Sequence, residues 1–458
     1  MKKIIVFATC LFALSLIMVS CRSETEPLEV ASGESGSESG GVPNTPVAKT
    51  LTSIAVTQNY TGDYILGDTI TEADISVIAT YSDGTSAPVT TWSTNEDFSV
   101  VATDKTIIIS YTEDGVTKTA PITITIVAAY TVTYKFTTGV TQLPLGTDGT
   151  LGTTGTYVEF GDWPQTIKDS SVTIQERQKK DIGMFTYYAG SDGNWYCKAQ
   201  ENGLDYYGTI ASYSNGEQVA LKSSGSYKYF KVEPIKWRVL ATDYTGADST
   251  ATPKKLLFAE VGLMANVPFY DNTDNRDING TVYPNNYEHS KIRAWLNGTQ
   301  YNNGTANNEH TNKGFLQTAF DAVALAKIKD VEIDNSEAST NPSNNPNMWN
   351  SGQNGYSCGN TTDKIFLLSA KEVTTANYGF DEYYNMYVGD SNGTTTSTRI
   401  RKPTDFALAN YAYLSSTAGQ GGIWWLRSPC CDYPNYGSKY ADGSLYARDV
   451  DGSGKINS

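Results

Sequence analysis

The stretch TIIISYTEDGVTKTAPITITIV, residues 106–127, decides how the first folded part of the chain is built. Isoleucine and tyrosine alternate in it with serine and threonine, which is typical of strands with one buried face. Asp114 and Gly115 interrupt the alternation, and an Asp-Gly pair between two such runs predicts a hairpin or strand-end turn. Similar runs precede it at 51–60 and 74–85. Strands at this regular spacing predict a small all-β sandwich.

Composition excludes several classes of function. Asp plus Glu outnumber Lys plus Arg by 49 to 34, and a formal net charge of −15 argues against nucleic acid as a partner, because its phosphates would be repelled. The two histidines, His289 and His310, leave little material for a His-based zinc site or a Ser-His-Asp triad. The 31 tyrosines, with abundant Asn, Ser, Thr and Gly, are typical of extracellular binding surfaces.

The N-terminus has the pattern of a secretory signal. Lys2 and Lys3 precede an apolar run, Ile4–Val19, which is short for a permanent membrane helix. We therefore predict a signal peptide at 1–20.

The residues that follow predict a lipid anchor and a tether. MVSC, residues 18–21, resembles a bacterial lipobox, with Met18 where Leu is usual, and this implies that Cys21 becomes the lipidated first residue. The alternative is an ordinary signal peptide with an incidental cysteine. Residues 21–50 are rich in Ser, Gly, Glu and Pro, which predicts a disordered tether. The expected location is the bacterial cell envelope, with the membrane contacted through the lipid.

The remaining cysteines lie in a compartment that permits disulfides. Cys10 leaves with the signal, so Cys197, Cys358, Cys430 and Cys431 allow three pairings. Neighbouring cysteines rarely bridge each other, so we expect at most one or two bridges, or free thiols. The chain has no CxxC spacing, which argues against a thiolate zinc site.

Residues 51–128 resemble a known family. The blocks LTSIAV, YILGDTI, ISVIATYSDGT and ISYTEDGVTKTAPITITIV are similar to the bacterial Ig-like repeats of surface proteins. The resemblance implies a spacer or stalk, and a direct adhesive role is the alternative.

A second part follows a predicted linking strand and connector at 129–155. Apolar blocks separated by polar insertions predict a mixed α+β domain over 156–458. Its expected elements are a strand and turn in 156–167, a strand pair around Pro234, a buried strand at 254–263, a helix after Ser290 ended by Gly298, one helix in 314–330, a buried strand before a capping box at Ser369 and Glu372, a helix capped by Thr404, and a strand ending at Pro429.

These blocks carry a second resemblance. VEFGDWPQT, VEPIKWRVL, LLFAE, YEHSKIRAWLNG, FLQTAF, DKIFLLSAKEV and above all IWWLRSP resemble a bacterial domain of unknown function common in secreted and lipid-anchored proteins. The WWLRSP-type domain is similar in layout to the formylglycine-generating-enzyme-like branch of the C-type-lectin fold. Such domains close with a strand around a Pro-Ala-Leu motif, whereas this chain ends in DGSGKINS, which puts the last strand in question.

The WWLRSP block contains the most distinctive candidate site. Side chains alternate along a strand, so Trp425 and Arg427 share one face and are predicted to line a ligand surface. The alternative is that Trp424 and Trp425 are core residues and Arg427 pairs with a buried carboxylate.

Further candidates follow Pro429. The polar tail has the composition of adaptable binding loops, and its candidate ligand-binding residues are Tyr433, Asn435, Tyr436, Tyr440 and Tyr446. The alternative for this segment is a set of polar turns.

A calcium loop is a further hypothesis. Asp449, Asp451, Ser453 and Asn457 have the oxygen spacing of its first nine positions, with Gly454 at position six. The closing Glu is not present in the sequence, and DGSG fits a hairpin turn equally well. Apart from this calcium hypothesis, no cofactor is expected.

These patterns together favour a cell-surface lipoprotein whose Ig-like spacer presents a domain that binds a protein or glycan of a host or neighbouring cell. One alternative is an extracytoplasmic enzyme on a formylglycine-generating-enzyme-like scaffold, which would need a copper-binding cysteine pair. Adjacent Cys430 and Cys431 point to opposite faces of a strand and are poorly placed for that. The other alternative is a structural envelope protein.

Overall fold

Two β-sheets form the N-terminal part of the structure, which is a computed structural model. It describes residues 48–143, 157–203, 211–220, 225–270, 276–278, 281–282, 285–302, 304–336, 358–381, 397–415, 421–429 and 447–450. The first strands are β1 Leu51–Gln58, β2 Tyr64–Ile65, β3 Ile75–Tyr81, β4 Ser86–Val89, β5 Ser93–Thr94, β6 Ala102–Glu113 and β7 Val116–Val127. One sheet has the order β1-β3-β4 and the other β2-β7-β6-β5. Alternate residues of both sheets enclose one core, as in a β-sandwich.

The predicted hairpin at the centre of this part is confirmed. Strands β6 and β7 pair antiparallel up to Glu113 opposite Val116. Asp114 and Gly115 between them have φ angles of 48° and 77°. Two consecutive positive φ angles are what a type I′ turn requires, which explains the Asp-Gly pair.

The predicted linking strand at 129–136 is wrong. Among the described residues this segment has no strand; backbone hydrogen bonds from Thr133 and Tyr134 to the Gly193 carbonyl hold it, together with side chains. Tyr134 Oη donates to Asp162 Oδ1 at 2.5 Å, and the Thr137 backbone donates to Asp162 Oδ2 at 2.8 Å. The connector therefore docks on a buried carboxylate, whose pKa is raised because its burial outweighs these hydrogen bonds.

A seven-stranded sheet follows. Its strands are β8 Thr141–Gln142, β9 Tyr157–Ile167, β10 Ile174–Ile182, β11 Phe185–Gly190, β12 Trp195–Gln200, β13 Tyr227–Tyr244 and β14 Lys254–Ala259. The order is β10-β11-β12-β13-β9-β8, and β14 also pairs with β13.

Two sequence predictions in this sheet are wrong in detail. The expected strand pair around Pro234 is one long strand, β13, and the expected strand and turn at 156–167 is the continuous strand β9. The pairing of β13 with β9 shifts register between Pro234 and Lys236. Proline has no N–H to donate, and a local irregularity in the ladder accommodates it without ending the strand.

Short elements complete the described chain. The strands are β15 Val261–Gly262, β16 Arg276–Asp277, β17 Thr281–Val282, β18 Tyr301–Asn302, β19 Ala306–Asn307, β20 Val331–Ile333, β21 Thr361–Asp363, β22 Lys402–Pro403, β23 Trp424–Pro429 and β24 Ala447–Val450. The helices are α1 Lys291–Asn297, α2 Phe315–Ala319, α3 Ala322–Leu325 and α4 Asp405–Ala409. Single 3₁₀ turns occur at Glu372–Thr374, Ala376–Tyr378 and Ser397–Arg399.

Local capping signals predicted two of these helices correctly. Ser290 caps α1 by accepting from the Arg293 backbone, and Gly298 ends it with a φ of 65°. Thr404 caps α4 by accepting from the backbone of Ala407.

The single helix predicted at 314–330 is wrong. Phe320 is extended, and the Asp321 side chain accepts from the Ala324 backbone at 2.7 Å, which starts a new helix, α3. Val323, which a single helix over 314–330 would place on the same face as Leu316 and Phe320, is 56% exposed. The cap at Asp321 thus interrupts the apolar periodicity.

The main core lies between the sheet and these helices. Trp163 of β9 is fully buried at its centre. Its ring centroid lies 4.8 Å from Phe315, 5.1 Å from Phe185, 6.4 Å from Trp295 and 6.5 Å from Phe406. Aromatic side chains from β9, β11, α1, α2 and α4 therefore meet in one cluster.

Arg177 joins the sandwich to the large sheet within the compact unit Leu51–Ser458. Its Nη2 lies 2.6 Å from Asp74 Oδ1, and its Nε lies 3.6 Å from Asp68 Oδ2. Its Cζ lies 4.0 Å from the ring centroid of Tyr64 and 4.4 Å from that of Tyr60. This guanidinium of β10 is thus held by two carboxylates and two rings of the sandwich.

The chain continues into a strand after β23. Strand β24 pairs antiparallel with it, Trp424 opposite Val450 and Trp425 opposite Asp449. The sequence put the closing strand of this domain in question, and the structure shows that a strand does pair with the WWLRSP block. Among the described residues, no helix has the length and apolar character needed to cross a membrane.

Candidate ligand-binding site

The predicted site strand, β23, is covered on both faces. Leu426 and Trp424 belong to a hydrophobic cluster that includes Phe380. Trp425 packs on the main core, with its ring centroid 5.8 Å from that of Phe269. The side chains alternate as predicted, and both tryptophans contribute to packing while staying partly exposed.

Arg427 is a buried structural residue. It is 3% exposed, and its Nη1 and Nη2 both contact the Glu372 carboxylate, Nη2 at 3.1 Å from Oε1. Nη1 also donates to the Leu367 carbonyl at 2.9 Å. The prediction that Arg427 lines a ligand surface is therefore wrong, and Arg427 pairs with the carboxylate of Glu372, whose side chain is 14% exposed, close to the alternative of a buried carboxylate partner.

The same glutamate forms the predicted capping box. Glu372 Oε2 accepts from the Ser369 backbone at 2.7 Å, and Ser369 Oγ accepts from the Glu372 backbone at 3.1 Å. The strand predicted before it is limited to β21, and residues 364–370 have no strand. A local cap thus positions the carboxylate that binds Arg427.

Three other buried charges form what we call the arginine cluster: Arg238, Glu260 and Arg401. Arg238 lies on β13, Glu260 between β14 and β15, and Arg401 directly before β22. They are 5%, 9% and 3% exposed. Arg238 Nε lies 3.6 Å from Glu260 Oε1, a distance that suits an ion pair but is too long for a hydrogen bond. The parallel pairing of β15 with β22 brings Arg401 to this place.

Aromatic rings position the two guanidinium groups. The Cζ of Arg401 lies 4.5 Å from the ring centroid of Phe258, and that of Arg238 lies 4.7 Å from Phe380. Phe258 also packs against Trp424, with centroids 5.3 Å apart. The arginine cluster therefore adjoins one face of the WWLRSP strand.

The cluster carries more positive than negative charge. Burial lowers the pKa of Arg401 to about 10, although the charge of Glu260 acts to raise it. Burial also lowers the pKa of Arg238 against the same carboxylate. Both arginines are still cations at neutral pH. Among the described residues, Nε and Nη2 of each arginine have no hydrogen-bond partner.

The described cysteines are not suited to nucleophilic chemistry. Cys197 and Cys358 are free thiols. Burial raises the pKa of Cys358 to about 12 and that of Cys197 further, so both are thiols rather than thiolates at neutral pH. Cys430 and Cys431 lie outside the described residues, so their pairing stays a prediction.

The two histidines are dispersed. His310 stacks on Tyr301 with ring centroids 6.0 Å apart, and burial lowers its pKa. His289 Nε2 lies 3.9 Å from Glu288. In the part of the chain that the structure describes, no group of three His, Cys, Asp or Glu side chains is arranged to hold a metal ion.

Most of the other predicted site residues lie outside the described residues, and their roles stay predictions. These are Cys21, Tyr433, Asn435, Tyr436, Tyr440, Tyr446, Asp451, Ser453 and Asn457. Asp449 of the calcium hypothesis is described only as a backbone position of β24, opposite Trp425.

The arginine cluster was missed by sequence reasoning. Arg238 and Glu260 stand inside or beside the apolar runs WRVL and LLFAE, and a charge in a buried strand is the signal that could have identified them. Arg401 has no such signal, because it lies in a polar stretch, RIRKP.

Comparison with known proteins identifies one domain. No curated protein matches the chain. Residues 253–456 match the family model described as a domain of unknown function (DUF6273). The matched region includes β23, Glu260 and Arg401, whereas Arg238 and most of the seven-stranded sheet precede it. The C-terminal part of the chain thus contains a DUF6273 domain.

Proposed function

We propose that this protein is a bacterial cell-surface lipoprotein that binds a ligand of a host or neighbouring cell. Cys21 would carry the lipid, residues 21–50 would be the tether, and the sandwich would be the spacer. The C-terminal part would bind the ligand.

The observation that carries this proposal is the junction at Arg177. A spacer presents a binding domain well only if the two do not swing freely, because free motion adds an entropy cost to every binding event. Arg177 holds the sandwich by an ion pair with Asp74 and by packing on Tyr60 and Tyr64. The connector, which hydrogen-bonds to the buried carboxylate of Asp162, supports the same junction.

We also propose finer fold assignments for the two parts. Two sheets around one core and the I′ hairpin support an Ig-like assignment of residues 51–128. The C-type-lectin-like layout of the C-terminal domain is proposed on the resemblance of its sequence blocks.

Lipid labelling of the full chain tests the anchor. Expressed in a bacterium fed a clickable fatty acid, the wild type should be labelled and protease-accessible on intact cells. The Cys21→Ala variant should lose the label, and Cys10→Ala, whose cysteine lies within the predicted signal, should keep it. Label that persists in Cys21→Ala would overturn the proposed anchor.

Glycan and matrix-protein arrays test the binding role. Probed with full-length protein in detergent, they should report at least one ligand that cells displaying the protein also bind. A folded protein that binds nothing on either array, with cells that show no altered adhesion, would contradict a binding function.

A further inference from the structure

We propose that Arg238 and Arg401 bind an anionic group, a carboxylate or a phosphate, on the ligand of this protein. The inference deepens the proposed binding function by naming the chemistry that the ligand must carry. It stands on the arginine cluster and does not depend on the lipid anchor or the spacer.

Charge is the first argument. The cluster places two guanidinium cations and one carboxylate where each residue is less than a tenth exposed. An uncompensated charge is strongly disfavoured away from water, and Glu260 can balance only one of the two cations. A bound monoanion would bring the cluster to neutrality.

Hydrogen-bond geometry is the second argument. In both arginines Nε and Nη2 have no hydrogen-bond partner among the described residues; Nε of Arg238 faces Glu260 Oε1 at 3.6 Å, whereas no ion pair within 4 Å is found for Arg401 among those residues. These two nitrogens form one edge of the guanidinium plane, and their parallel N–H groups match two oxygens of a carboxylate or phosphate. Arg401 uses its other terminal nitrogen, Nη1, to donate to the Ile400 carbonyl at 2.6 Å, which leaves that edge for an anion.

Preorganisation is the third argument. The guanidinium groups are held against Phe258 and Phe380, so little side-chain freedom is lost when an anion binds. Arg427 is the contrast within the same domain, because both of its terminal nitrogens contact Glu372. Arg238 and Arg401 have no such bidentate protein partner among the described residues.

Gly379 lies beside the Arg238 guanidinium. This residue has a φ of 73°, and a Cβ built on it would have one neighbour within 4 Å, Arg238 Nη1 at 3.9 Å. Among the described residues, space therefore remains around that Cβ position beside Arg238 Nη1. A side chain at this position would narrow the approach.

Calorimetric titration of the full-length protein in detergent tests the proposal. The probes are inorganic phosphate and N-acetylneuraminic acid, a sugar carboxylate, with neutral galactose as the control. We expect at least one anion to bind and galactose not to bind, and the two anions distinguish a phosphate-bearing from a carboxylate-bearing ligand. Failure of both anions to bind the folded wild type would overturn the proposal.

Variants locate the site. Arg401→Lys keeps the charge and removes the planar edge, so we expect its affinity for the anion to fall by ~10-fold or more. Lys402→Gln removes an exposed neighbouring charge and should leave the affinity unchanged. Equal binding by the wild type and Arg401→Lys would overturn the assignment.

A measurement on the wild type covers the case in which Arg401→Lys does not fold. The anion that binds should raise the unfolding temperature relative to chloride at equal ionic strength, because it stabilises the folded state only. No rise would count against the site. If the purified protein binds the anion but is not displayed on the cell surface, this inference stands and the proposed anchor is refuted. Failure of the anion site and failure of the anchor are therefore distinguishable.

Discussion

Removing the positive charge of Arg427 should destabilise the protein far more than removing that of an exposed arginine or lysine. The Arg427 side chain is 2% exposed and that of Glu372 is 14% exposed. Replacing Arg427 with Met keeps the volume of the side chain and leaves the carboxylate buried without its partner. Breaking a buried pair in this way costs about 3–5 kcal/mol of unfolding free energy.

The chain offers a matched control. Lys364 Nζ lies 2.7 Å from Asp330 Oδ1, but the two side chains are 28% and 63% exposed. Lys364→Met should therefore cost only about 0–1 kcal/mol, because water and salt screen the exposed pair. The double variant Arg427→Met/Glu372→Gln should recover part of the loss, since its Gln can still cap the Ser369 backbone.

Urea unfolding followed by tryptophan emission measures these differences on the full chain. If Arg427→Met lowers the unfolding free energy by less than about 1 kcal/mol, the reasoning is refuted, because exposed ion pairs contribute no more than that. A double variant no more stable than Arg427→Met would show that the uncompensated carboxylate is not the cause.

Three further predictions concern other parts of the chain. Gly115→Ala should lower the unfolding free energy by about 1 kcal/mol, because alanine is strained at a φ of 77°. Thr117→Ala, on the adjacent strand, is the control. An equal loss of unfolding free energy in the two variants would contradict this prediction. Burial of Asp74 acts to raise its pKa, but the hydrogen bonds from Arg177 and Thr71 outweigh burial and lower the pKa below the ordinary 3.8. The contribution of Asp74 to the unfolding free energy is therefore complete above pH 3.8 and is lost as the pH falls through the lowered pKa. In acid unfolding, an Arg177→Gln variant should show a smaller loss of unfolding free energy than the wild type over this pH range. In a variant with Cys430 and Cys431 replaced by Ser, Cys197 and Cys358 should resist a thiol reagent at pH 7.5 until urea unfolds the protein, because the pKa of each thiol is raised. Rapid labelling of Cys197 or Cys358 in the folded protein would contradict this prediction.

The features that the sequence predicted correctly depend on neighbouring residues. The Asp114-Gly115 turn, the caps at Ser290 and Thr404 and the capping box at Ser369 and Glu372 each need residues within about four positions of one another. Local backbone geometry selects the residue types at these places, so one sequence suffices to find them. The alternating strands of the sandwich were found for the same reason.

The features that the sequence could not decide depend on distant residues. Whether Pro234 ends a strand depends on the ladder that β9 offers to β13, and whether the Arg427 side chain meets solvent or Glu372 depends on how β23 packs. The arginine cluster joins positions 238, 260 and 401, which only the pairing of β13, β14, β15 and β22 brings together. The sequence by itself thus determined the Asp114-Gly115 turn, the caps at Ser290 and Thr404, the capping box and the alternation of the sandwich strands, but it missed the cap at Asp321. Only the tertiary structure decided which charges are buried together, because burial and pairing are properties of contacts between segments far apart in the chain.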